Sequence, residues 1–132
     1  RGKTAGVAYL WGEEETPETH DRAHMVHSLI CSLGLDKRMS VIEPAPRASR
    51  ADLQAYHAPA YLDILARLEE GNSADRDIEV GDDELELYGL EYDADWFPGL
   101  LMHATTVAGG SLRAADLVAS RACLRAIHWQ GG

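Results

Sequence analysis

Cysteine is scarce: Cys31 and Cys123 are the only two in 132 residues. They lie far apart and no CxxC occurs, so neither a zinc ribbon nor a disulfide framework is supported. A reducing compartment is the simplest reading. No apolar run approaches the roughly 18–20 residues of a membrane span, and the opening RGKTAGVAYLW reads as a first strand, not a signal peptide. Positive charge is also short. Twelve Lys and Arg face 22 Asp and Glu, a net charge of −10. Direct nucleic-acid binding, which needs a basic patch, is disfavoured. A cationic partner such as a lysine-bearing tail is allowed, and so is plain solubility as the role of the acidity. The chain holds no GxSxG, P-loop, GxGxxG or HExxH. No nucleophile, base and oxyanion site can be assembled from these residues.

The hydrophobic content of 45% suffices for a packed core, and the length suits one domain. GVAYLW (6–11) is a short apolar strand. Thr16 and Pro17 supply an N-cap and a first-turn proline, so a helix is expected from about residue 17 to a stop at Gly34. MSVIEP (39–44) reads as a second strand. Ser49 and Asp52 have capping-box spacing for a short helix. A further helix covers residues 60–70, with Tyr61, Ile64, Leu65 and Leu68 on one face. Residues near 72–83 lack periodicity and are expected to form a flexible loop. A long helix over about 98–120 carries Leu101, Thr105, Ala108, Leu112, Ala115 and Ala119 on one stripe. Gly109 and Gly110 fall in its interior, where each costs about 0.5–1 kcal/mol relative to alanine. Close packing of another backbone is the expected motive. RAIHWQ (125–130) is the third strand. This order predicts an α/β fold with a mainly parallel sheet. Three strands are few for a parallel sheet that must be covered and paired, so the fold is expected to be incomplete in this chain.

Some residues stand out chemically. Arg22 lies four before Val26 on a stripe with Leu29 and Leu33, flanked by Met25 and Ile30. An arginine facing a core needs an anion, carbonyls or a wet cavity, or must reach out at the helix end. His20, His24, His27 and Cys31 form a metal-competent stripe. It lies mostly opposite the apolar one, so His20 and His24 read more simply as solvated. Acids crowd residues 82–95, but the glycine and final glutamate of a calcium loop are absent. Asp93 sits beside Tyr92 in a turn suited to a pocket mouth, where helix capping by Asp95 is the competing use. Gly131 and Gly132 follow a parallel strand, beyond whose carboxyl end ligands bind in open α/β sheets.

Five segments in order carry a resemblance: RAHMVHSLI (22–30), YHAPAYLDIL (56–65), YGLEYD (88–93), AGGSLRAADLV (108–118) and AIHWQGG (126–132). Together they resemble the N-terminal part of class I zinc-dependent histone deacetylases, from about Val7 to Gly132. The resemblance implies a three-layer arginase/deacetylase-type α/β fold, mainly parallel and incomplete here. Residues 1–132 would then be the N-terminal portion of one catalytic domain. It implies hydrolysis of acetyl-lysine amides, in which zinc polarises the carbonyl and activates water. The zinc ligands, tandem histidines and catalytic tyrosine of the family would follow Gly132, so this chain holds no catalytic or metal residue of its own and is expected to be inactive alone.

Residue by residue, the resemblance assigns Asp93 to the rim that accepts hydrogen bonds from the substrate backbone, with Tyr92 beside it. Arg22 matches the arginine of the internal channel behind the metal. Gly131 and Gly132 match the glycine pair bordering that channel and the substrate tunnel. His27 matches a common helix histidine. Asp93-Ala94-Asp95-Trp96 departs from the usual Asp-Cys-Pro, and residues 17–21 also differ. The implied partners are the C-terminal remainder of the domain and an acetyl-lysine peptide or protein, with no direct nucleic acid and no membrane. The implied setting is the nucleus or cytoplasm, the nucleus favoured, in chromatin regulation. Two alternatives stand beside this reading: an inactive deacetylase-like scaffold or binding module, and an amidohydrolase for small amides of the acetylpolyamine type.

Overall fold

A computed structural model describes residues 5–10, 20–42, 46–71, 80–90 and 97–131. The described elements are β1 (Ala5–Leu10), α1 (His20–Ser32), a 3-10 turn (Asp36–Arg38), β2 (Ser40–Ile42), α2 (Arg50–Gln54), α3 (Pro59–Gly71), α4 (Asp82–Leu87), α5 (Leu100–Ala119) and β3 (Cys123–His128). They fall into two compact units, Arg1–Arg47 with Thr106–Gly132, and Ala48–Thr105.

The first unit is built on a three-stranded sheet in the order β2-β1-β3, with β1 parallel to both neighbours. The expected α/β parallel sheet is therefore present. β1 is the most apolar of the three, and Ala8, Tyr9 and Leu10 are almost wholly buried. Strand alternation divides them. Ala8 and Leu10 join Leu117 of α5 and Cys123 in one core cluster, edged by Ile42, Ala114 and Ala126. Tyr9 lies on the other face against His27 of α1, ring centroids 5.9 Å apart and nearly parallel.

α1 ends where Gly34 was expected to stop it. The Leu35 amide donates to the Ile30 carbonyl and the Gly34 amide to Cys31, with Gly34 at φ 65°. This is the left-handed helix ending that glycine favours. The start expected near residue 17 lies outside the described residues. The covered face of α1 matches the expected one only in part: Val26 and Ile30 are half-buried. Met25, Leu29 and Leu33 are 68%, 58% and 63% exposed, while His27 turns to Tyr9. A buried tyrosine hydroxyl needs a hydrogen-bond partner that an aliphatic side chain cannot supply, and the Tyr9 hydroxyl meets His27 Nδ1 at 3.1 Å. His24, expected in solvent, is half-buried.

α5 also turns a different face to the sheet. Gly109, Gly110 and Leu117 are buried, whereas Leu112, Ala115 and Ala119 of the expected stripe are exposed. Leu117 and Ala114 pack on the strand residues, and Gly110 leaves room for the His128 ring. The third strand begins two residues earlier than expected and ends at His128, with Trp129 and Gln130 in a turn.

The second unit is helical. Leu62, Ile64 and Leu65 of α3 form its core with Leu90, and Leu53, Tyr61, Leu68, Leu85 and Leu101 pack around them. The capping box at α2 is complete. The Ser49 hydroxyl accepts from the Asp52 amide, and the Asp52 carboxylate accepts from the Ser49 amide. The Ser49 hydroxyl and the Ser49 amide both donate to the Asp52 carboxylate and hold its carboxyl below its ordinary value. Arg67 spans to both oxygens of Glu84 at 3.1 Å, joining α3 to α4. Glu69 accepts from the Leu101 amide at 3.4 Å, at the start of α5. Residues 72–79 of the expected loop lie outside the described residues. Asp82 and Asp83, placed in that loop by the sequence, instead open α4. With Glu84 they put three acids in its first turn, where the helix dipole favours them.

Leu65 is 4% exposed at the centre of the second core. Leu65→Ala should cost about 2–5 kcal/mol through lost burial and the cavity left behind. Urea unfolding measures this, and a loss below about 1 kcal/mol would contradict the packing described.

Candidate functional site

All three strands of a parallel sheet deliver their carboxyl ends to the same edge, where open α/β sheets bind ligands. Here that edge is reached at Leu10, Ile42 and His128. Its best-described part lies where β3 gives way to Gly131.

His128 sits at the last position of β3, paired in register with Leu10. Its ring packs on α5 at Gly110. A Cβ on Gly110 would collide with Nε2 and Cε1 of His128. The absent side chain of Gly110 is therefore the space the imidazole occupies. One residue on, the Ser111 hydroxyl shares a hydrogen bond with His128 Nδ1 at 3.1 Å. Gly131 closes on the same pair: a Cβ there would lie 2.7 Å from both Nδ1 and the Ser111 hydroxyl oxygen. The glycines of α5 were expected to admit another backbone. Gly110 admits an imidazole instead, and the backbone that closes on the site is that of Gly131.

Burial holds the His128 pKa below its ordinary value of 6.5. The ring is thus kept neutral near pH 7, able to donate at one nitrogen and accept at the other. On the opposite sheet face, His27 bridges the Tyr9 hydroxyl and the Cys31 thiol, with Cys31 Sγ 3.6 Å from Nε2. Burial, followed by the nearby Cys31, raises the Tyr9 pKa, so Tyr9 stays a neutral phenol. Cys31 is exposed and Cys123 buried.

Of the residues that the resemblance assigns to the rim and channel, Gly131 is the one whose surroundings are described. Arg22 lies within α1, but its side chain falls outside the described residues. Tyr92, Asp93 and Gly132 lie outside the described residues. Arg22, Gly131 and Gly132 belong to one compact unit, and Tyr92 and Asp93 to the other. His128 and Ser111 were not anticipated. Their only sequence signal was the glycine pair in a helix interior, which announces close packing without naming what approaches.

The histone deacetylase domain family matches residues 16–132. The chain belongs to the histone deacetylase family. Its α/β sheet is thus part of an arginase/deacetylase fold, and the resemblance carried by the five segments holds. The chain is 38% identical over 111 residues to histone deacetylase 8 of Xenopus tropicalis, an alignment covering 84% of this chain and 28% of that protein. It is 31% identical over 138 residues to histone deacetylase 8 of Danio rerio, covering all of this chain and 35% of that protein. The chain therefore spans about a third of the length of these relatives.

The zinc that the family implies has no fit among the described residues. No group of three or more His, Cys, Asp or Glu side chains converges there, and the His27–Cys31 pair supplies only two donors. Among the described residues no helix is long and apolar enough to cross a membrane.

Two outcomes follow from the Gly110–His128 contact. Gly110→Ala should destabilise by about 1–3 kcal/mol through overpacking. Combined with His128→Ala it should become neutral or favourable, since alanine exceeds glycine in helix propensity by about 1 kcal/mol. Urea unfolding of the double-mutant cycle measures the coupling, and additive effects would contradict the contact. The second outcome concerns pH. The folded His128 pKa is depressed, so the unfolded chain binds the proton more readily. The contribution of His128 to stability is complete above about pH 6.5 and falls as pH drops through that value toward the folded pKa. Thermal melts between about pH 8 and 5 should show a larger Tm loss for the native chain than for His128→Gln.

Proposed function

We propose that residues 1–132 are the N-terminal portion of a single deacetylase catalytic domain. In its complete form the protein is a zinc-dependent hydrolase of N-acetyl-lysine amides in proteins such as histones. The observation that carries this reading is the family match over residues 16–132, with 38% identity to a histone deacetylase 8.

Within that reading this chain contributes the substrate rim and part of the internal channel. Asp93 accepts hydrogen bonds from the substrate backbone, with Tyr92 and Gly132 beside it. Arg22 and Gly131 line the channel through which acetate leaves, and Gly131 and Gly132 together border the substrate tunnel. No catalytic or zinc-binding residue belongs to this chain, which is inactive alone. The C-terminal remainder of the domain is its first partner, and an acetyl-lysine peptide or protein its substrate. Exposed Val41, Leu124, Ile127 and Trp129 support the first of these, because parallel sheets are covered on both faces. Nuclear residence, in chromatin regulation, belongs to the same proposal, with the cytoplasm as the other setting.

The test is deacetylation of an acetyl-lysine peptide by the complete protein. The native protein should release acetate. Asp93→Asn should lower kcat/KM by roughly 10–100-fold, the worth of a charge-assisted hydrogen bond. Peptide binding without hydrolysis would replace this reading with the scaffold. Preference for an N-acetylated polyamine would replace the protein substrate with a small amide.

A further inference from the structure

His128 is a half-buried imidazole to which the reading above gives no role. Its surroundings are unusually specific. Gly110 leaves the space for its ring, and Ser111 holds its Nδ1 at 3.1 Å. Gly131 lies against the Ser111–His128 pair with no room for a side chain between them. The pair joins three elements: the middle of α5, the carboxyl end of β3 and the turn after it. Strand pairing with β1 fixes the His128 backbone, and the helix fixes Ser111. The one part of the triangle outside regular structure is Gly131.

We infer that His128, held by Ser111 in the space left by Gly110, is a positioning residue that sets where the Gly131 backbone stands in the wall of the substrate tunnel. This rests on the proposed function, which supplies the tunnel.

The chemistry suits the task. A neutral imidazole is rigid and planar, and it accepts or donates at Nδ1 without bringing a charge into the wall. Serine has one rotatable hydroxyl that serves either tautomer. Glycine at 131 lets the backbone itself meet the pair, where any side chain would collide with it. A wall set in this way contacts substrate and transition state alike. Loosening it therefore weakens binding and leaves the chemical step unchanged.

The decisive experiment uses the complete protein, an acetyl-lysine peptide and two variants, with amide hydrogen exchange at Gly131 followed in parallel. Ser111→Ala removes the hydrogen bond and leaves the packing. It should raise KM about fivefold, the effect of one lost hydrogen bond, with kcat unchanged. Exchange at Gly131 should become faster. Ser111→Thr keeps the hydroxyl and should restore both. An active native protein in which Ser111→Ala alters neither KM nor Gly131 exchange would overturn this inference alone. So would a lowered Tm with unchanged kinetic constants, which marks a merely structural role. A native protein inactive on the peptide would overturn the functional reading, and this inference with it.

Discussion

Burial of β1 between two parallel neighbours is the constraint on which the sheet unit depends. Ala8, Tyr9 and Leu10 are each 2% exposed or less, and each backbone edge of the strand is paired. A strand so placed must offer apolar atoms on both faces. It does so on the α5 face through Ala8 and Leu10. On the other face it offers Tyr9, whose hydroxyl brings a polar requirement into the interior. That requirement draws His27 inward and rotates α1 with it. The exposed Met25, Leu29 and Leu33 follow from one buried phenol.

The α5 face obeys a different rule. There the sheet takes the small side of the helix, Gly110 and Ala114, together with Leu117. The missing side chain of Gly110 leaves a space there. His128 fills it. The same small-residue side of α5 that joins the core therefore also accommodates a titratable ring at the carboxyl end of the sheet. Packing and the chemistry of the site are one event at this position.

The second unit is simpler. Its core is a set of leucines and one isoleucine at helical spacing, and its polar contacts tie neighbouring helices at the surface. Exposed pairs such as Arg50–Asp63 add little stability. Arg67 meeting both oxygens of Glu84 restrains the orientation of α4 against α3 more than it adds energy.

The amino-acid sequence by itself determined the kind and order of most elements. Local physics decides these: the Ser49–Asp52 box opens α2, Gly34 closes α1 through its left-handed φ, and β1 is an apolar run too short for anything but a strand. The parallel α/β sheet was also legible, from strands alternating with helices. α4 was missed because its signal, acids in a first turn, also describes a solvated loop. Only the tertiary structure decided which face of α1 and α5 turns inward, and that His128 lies in the space left by Gly110. Periodicity ranks faces by hydrophobicity alone. It does not register that a buried hydroxyl must be hydrogen-bonded, or that a missing Cβ at one position makes room for a ring eighteen residues later.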